Sequence, residues 1–202
     1  AYNGSVLWTW ELPRLGRFNM PRDSGNWSAN ADSIFAAIDD EVWRFDAATG
    51  ALVHRYKTPE GKRPDWDYDW GYLAAEEDQI IGSGIRNGST FKEYWGGATA
   101  GWYDATSGPV TEKVSGESLF AMDLTTGAVR WERNRGWIMH SGVAFGEESI
   151  YIAEMRHPKV LGLQTSRVGI PEMWEDLWLV ALDRKTGEVQ WEQKLEIPSG
   201  QV

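Results

Sequence analysis

Cysteine is absent from the 202 residues. That excludes a disulfide framework, thiolate catalysis and cysteine-ligated zinc. Histidine is scarce, with three in all, and His54, His140 and His157 do not stand at a metal-binding spacing. Basic charge is outweighed: 20 Lys and Arg face 30 Asp and Glu, a formal net charge of −10. No Lys/Arg cluster supplies the basic face that nucleic acid requires, and the same deficit argues against anionic membranes. No apolar run approaches the ~18 residues that cross a bilayer, so no membrane span is expected. The opening residues lack the basic start and apolar stretch of a signal peptide, which leaves export open. Long windows of strong helix formers are missing too.

What is present points to strands. Hydrophobic residues make up 42% of the chain, with 13 tryptophans and 22 glycines. The length suits one globular core, and frequent glycine between short apolar runs reads as an all-β chain rich in turns.

One phrase recurs three times: VWRFDAATGALVH at 42–54, LFAMDLTTGAVRW at 119–131 and LVALDRKTGEVQW at 179–191. The copies align on Asp46, Asp123 and Asp183, with Thr three residues on and Gly50, Gly127 and Gly187 after it. Four residues past the glycine stand Trp131 and Trp191, with His54 in that place in the first copy. Gly4 and Trp8 repeat the last offset at the start of the chain. Each copy reads as a hairpin: the aspartate bonds the turn backbone, and the glycine supplies positive φ. A bulky ring at one fixed place per copy suits the spacer between stacked sheets. A strand, an acidic turn and a second strand precede each hairpin, at 27–40, 71–84 and 141–154. Each repeat is thus four short strands, which is the make-up of a propeller blade.

The phrase Ala121-x-Asp123-x-x-Thr126-Gly127-x-x-x-Trp131 resembles the tryptophan-docking motif of quinoprotein (PQQ-like) β-propellers, and Ala181 to Trp191 matches it again. The first copy departs, with Arg44 at the alanine place and His54 at the tryptophan place, so different or looser docking is expected there. The likeness runs over nearly the whole chain and is nearest in character to bacterial PQQ-like repeat proteins. It implies a β-propeller segment of about three four-stranded blades, near 26–57, 69–133 and 141–194, with strand 5–12 from a preceding blade. Asp46, Gly50, Asp123, Gly127, Trp131, Asp183, Gly187 and Trp191 are then docking residues, with Trp131 and Trp191 buried between blades. Such propellers close with about six to eight blades, so a longer chain or another chain is expected to supply the rest.

Repeats two and three are lengthened between their second and third strands, placing residues 85–117 and 155–177 as insertions. In propellers these loops open on the face that also carries the blade-to-blade links, here 58–70, and the D-x-x-T-G turns lie on the opposite face. The link holds RPDWDYDW, with Asp65, Asp67 and Asp69 at alternate places. An EF-hand-like calcium loop wants glycine at the sixth place, where Trp70 stands. The favoured reading is a strand entrance with Trp66, Tyr68 and Trp70 packed under the insertion; a ligand platform of rings beside carboxylates is the alternative. Candidate ligand-surface residues are Trp66, Asp67, Trp95, in the aromatic cluster 91–104, and Arg156. A surface salt bridge is the favoured reading of Arg156, and the resemblance makes it a candidate for reaching a carboxylate of a central PQQ. Sequons stand at Asn3, Asn26 and Asn87.

Two functions follow from the resemblance. The first is a non-enzymatic scaffold or interaction surface, with no catalytic residue, no metal and no cofactor expected in this segment. The second is a segment of a dehydrogenase that carries PQQ and calcium. A carbohydrate-binding role draws only on the tryptophans. Quinoprotein relatives imply an extracytoplasmic setting, periplasmic or at the cell surface.

Overall fold

The computed structural model describes residues 4–11, 27–89 and 112–197. Among them, fourteen strands form three antiparallel sheets. The first runs β1 (Trp27–Ala29), β2 (Ser33–Ile38), β3 (Glu41–Asp46) and β4 (Leu52–Lys57) in plain meander order. The second is β5 (Tyr68–Glu76), β6 (Gln79–Arg86), β8 (Ser118–Asp123) and β9 (Val129–Arg133). The third is built on β10 (Trp137–Phe145), β11 (Ser149–Met155), β13 (Leu177–Asp183) and β14 (Val189–Lys194).

The third sheet departs from the expected four strands. Two short strands extend it past β10: β7 (Lys113–Gly116) and then β12 (Arg167–Val168). β7 comes from the second repeat's insertion, yet it pairs with the third repeat, Ser115 opposite Met139 and Gly116 opposite Ile138. An inner strand with an open edge offers unpaired amides, and an insertion with strand-forming residues can satisfy them. A short helix, α1 (Pro158–Leu161), and a 3-10 turn at Pro171–Trp174 complete the third insertion.

The sheets stack face to face because their strands alternate. In the middle sheet Ile80, Phe120 and Met122 face the first sheet's Phe35, Val42 and Tyr56. Their neighbours Ile81, Leu119 and Ala121 point the other way, onto Ile138, Ile152 and Val180 of the third. The period of two puts consecutive apolar residues into two different cores. Gly82 makes room on the first of these faces: a Cβ there would lie 2.4 Å from the buried Trp70 ring.

The three D-x-x-T-G turns are alike. In each, the aspartate Oδ1 accepts bonds from the amides two and three residues on and from the threonine hydroxyl. Gly50, Gly127 and Gly187 sit at φ of 73°, 72° and 70°, the left-handed region that favours glycine. Rings of neighbouring segments lie on two of these glycines. A Cβ on Gly187 would meet Trp131 Cδ2 at 2.5 Å, and one on Gly50 would meet Trp8 Cδ2 at 2.5 Å.

Two expectations are corrected here. Trp131 is buried at 7% exposure, but Trp191 is 45% exposed. In its own sheet it stands opposite Ala181 and beside the Tyr151 ring, with ring centroids 6.0 Å apart, and among the described glycines none lies under it as Gly187 lies under Trp131. The expected strand 5–12 is also not a strand in its described part. Residues 4–11 have no regular secondary structure and no ladder partner. They are held by the indole N–H groups of Trp8, on Ala47 O at 3.0 Å, and Trp10, on Gly50 O at 2.7 Å.

Candidate functional site

The ends of the sheets opposite the D-x-x-T-G turns gather the link and both insertions. Thr58 N–H bonds Asp40 O, and Trp70 N–H bonds Asp39 O, so the link leaves the first blade across its β2–β3 turn. Arg86 N–H reaches Ser166 Oγ at 2.8 Å, and Ser115 N–H reaches Ser166 O at 2.9 Å. Residues 58–70, 85–89, 112–117 and 156–176 therefore form one surface.

Trp66 is its hub. The guanidinium of Arg63 lies 4.1 Å from the ring centroid and that of Arg86 lies 4.4 Å away. Both arginines then reach into the third insertion. Arg63 donates to Leu161 O and Leu163 O at the end of α1, and Arg86 donates to Gln164 O. A cation at a helix C-terminus meets carbonyls left without intrahelical partners. Trp66 thus fastens the link to two insertions, and its face is occupied by cations of the chain itself.

The three aspartates part company. Asp65 and Asp67 are exposed, whereas Asp69 is 3% exposed. The Asp69 carboxylate accepts Asn87 Nδ2 at 2.8 Å and the Gly88 amide at 3.3 Å, closing the turn after β6. The chain bends before β5 starts at Tyr68, so strict alternation does not extend back to Asp65. This Asn87 is also the asparagine of a sequon, with its amide engaged.

Behind the hub lies a polar seam. The Tyr68 hydroxyl donates to Glu117 Oε2 at 2.7 Å, and Glu117 Oε1 stands 3.5 Å from Arg63 Nε. Burial, then the Glu117 carboxylate, pushes the Tyr68 hydroxyl far above the usual phenol range. Burial likewise pushes Tyr72 up to about 12, with Glu76 adding to it. Ser83 Oγ and His140 Nε2, both buried, lie 2.8 Å apart. Ser83 Oγ also accepts the Tyr72 amide, which the bulge between Trp70 and Leu73 lifts out of the ladder.

Arg156 does not project from the surface. Its side chain is 9% exposed, and its guanidinium pairs with Glu154 Oε2 at 2.6 Å and Glu192 Oε2 at 2.8 Å and lies 4.4 Å from the Trp178 ring. Glu154, fully buried, also takes a two-pronged contact from Arg133, both arms at 2.8 Å. Arg156 therefore closes a buried ion network. Trp95 lies outside the described residues. The structure thus brings Trp66 and Asp67 to one surface, with Arg156 at the start of the third insertion but its side chain held in the ion network. Arg63, Arg86, Glu117 and the Ser83–His140 pair were not singled out from the sequence. Two arginines flanking a tryptophan across a strand pair were the available signal for the first two.

No protein-family model matches the chain, and no curated protein matches it. Solved structures do. A quinohemoprotein alcohol dehydrogenase from Comamonas testosteroni matches with a TM-score of 0.56 at 15% identity, over 95% of this chain and 31% of that one. A europium-containing methanol dehydrogenase matches with a TM-score of 0.53 at 12% identity, over 93% of this chain and 35% of that one. At such identities the likeness carries the fold: the chain is an all-β propeller segment. It spans about a third of the length of these two proteins.

Proposed function

We propose that the chain is a non-enzymatic scaffold: an arc of blades within a larger propeller, whose surface of link and insertions is presented to a partner. The observation that carries the arc of blades is the contrast between Trp131, seated on Gly187, and Trp191, at the same register and uncovered. Read as docking residues, they make the outer face of β14 the place where a further blade joins, from a longer chain or another chain. The short span against the two dehydrogenases supports the same reading. We place the protein outside the cytoplasm, in the periplasm or at the cell surface, on its resemblance to quinoproteins.

The alternative is a segment of a dehydrogenase that carries PQQ and calcium, suggested by the same two structures. The described residues do not fit that group. Arg156 is neutralised by Glu154 and Glu192, Asp69 is spent on the Asn87 turn, and Asp65 and Asp67 stand exposed apart from it. Among the described residues no three His, Asp or Glu side chains converge on a metal position. Thermal unfolding with and without PQQ and calcium chloride tests the scaffold reading. The scaffold gives an unchanged midpoint, and a rise that grows with PQQ concentration favours the dehydrogenase segment.

A further inference from the structure

The contact between the first and second blades is built differently from the other two of its kind. Between the second and third blades one indole does most of the work. Trp131 covers Gly187, and its N–H donates to Arg184 O at 3.2 Å. Gln79 Nε2 donates to the same carbonyl at 3.0 Å. Ala121 stands directly across the strand pair from Trp131 and leaves the indole its room. Trp8 treats Gly50 and Ala47 O in the same way at the first blade.

At the first-to-second joint, His54 holds the tryptophan place and Arg44 the alanine place, again directly across from one another. His54 Nε2 comes within 3.0 Å of where a Cβ on Gly127 would be. The matching carbonyl, Leu124 O, is reached by two other side chains, Tyr56 Oη at 2.6 Å and Arg44 Nη1 at 3.1 Å. Arg44 is steadied by Ser33 Oγ, which accepts its Nε at 2.9 Å. Tyr56 is 1% exposed, with its ring 4.5 Å from that of His54. Of the different or looser dock that the sequence suggests, the structure has a different one, and it is filled.

We infer that Arg44, His54 and Tyr56 form one clasp that replaces the indole as a unit, so that its members cannot be exchanged singly. Both carbonyls, Leu124 O and Arg184 O, receive two donors, which is the capacity of a carbonyl oxygen. Arg44→Ala alone removes one donor and leaves a void beside Phe35, over which the guanidinium lies at 6.0 Å. His54→Trp alone brings a third donor and a larger ring against Arg44, which overfills the joint. The two changes together recreate the Ala–Trp pair of the next joint and restore two donors, Tyr56 and the new indole. This inference concerns two sheets that are both in the chain, and it does not depend on the scaffold reading.

Urea unfolding of the chain tests it as a double-mutant cycle. Arg44→Ala and His54→Trp each lower the midpoint, and Arg44→Ala/His54→Trp returns it most of the way to the parent value. Tyr56→Phe, a milder change, lowers it as well. Amide exchange at residues 124–127 rises in both single variants and falls back in the double, which locates the loss at the joint. Additive shifts, a double variant that is no more stable than either single or does not fold, a single His54→Trp that leaves the midpoint unchanged or raises it, or exchange spread evenly over the chain overturns the proposal.

Discussion

Trp131 and Trp191 occupy the same place in nearly the same phrase, yet they should respond differently to truncation. Trp131 is packed between two sheets with Gly187 beneath it, so Trp131→Ala removes a large core ring and should cost about 3–5 kcal/mol. Trp191 rests on Tyr151 alone among the ring contacts, and Trp191→Ala should cost less than about 1 kcal/mol in the isolated chain. Urea unfolding of the two variants checks the contrast; equal losses would contradict the placement of Trp191. The phrase itself shows that both rings belong at one register. What lies against each ring is decided by a segment distant in sequence, and no local pattern carries that.

Strands and turns were the most legible part of the molecule. Short apolar runs marked β2, β3, β6, β8, β11 and β13, and the aspartate–threonine–glycine phrase marked the hairpins that follow. Their conformation is fixed by three or four residues acting on their own backbone, so it can be read locally. The insertions were legible as extra length on one face, but not as added strands, because β7 depends on the open edge of β10. A salt bridge was the favoured reading of Arg156, but its partners and its burial were hidden for the same reason. Its partners Glu154 and Glu192 come from two strands, and Glu154 is shared with Arg133 from the neighbouring sheet. That sharing gives a prediction for the element: Glu154→Gln leaves two buried guanidiniums short of one negative charge and should cost about 3–5 kcal/mol. Calorimetric unfolding measures the loss, and a variant as stable as the parent would show the network to be dispensable.

Across the whole molecule the three turn aspartates act in concert with pH. Thr49 lowers Asp46, Arg130 and then Thr126 lower Asp123, and the Thr186 amide lowers Asp183. Each folded value lies under the ordinary aspartate value of about 4. The stabilisation is therefore complete above that pH and is lost as the pH falls through the folded values. Urea midpoints should be level from pH 7 to about 5 and decline below about 4, and Asp123→Asn should flatten that decline. The uncovered edge of the third blade makes a second prediction. Light scattering should show the isolated chain associating as its concentration rises, and Trp191→Glu should suppress this, because an exposed ring beside Val189 is an apolar patch. The pairing of β7 with β10 reaches further than either. Blades are commonly regarded as units that a gene can duplicate, lose or exchange one at a time. Here a strand encoded before the second blade is finished completes the sheet of the third. A crossover placed in the short stretch between β9 and β10 would separate β7 from its partner and leave both products with an unmatched edge. Among the described residues the first blade shares no strand with its neighbours, whereas the second and third can be copied or moved only as a pair.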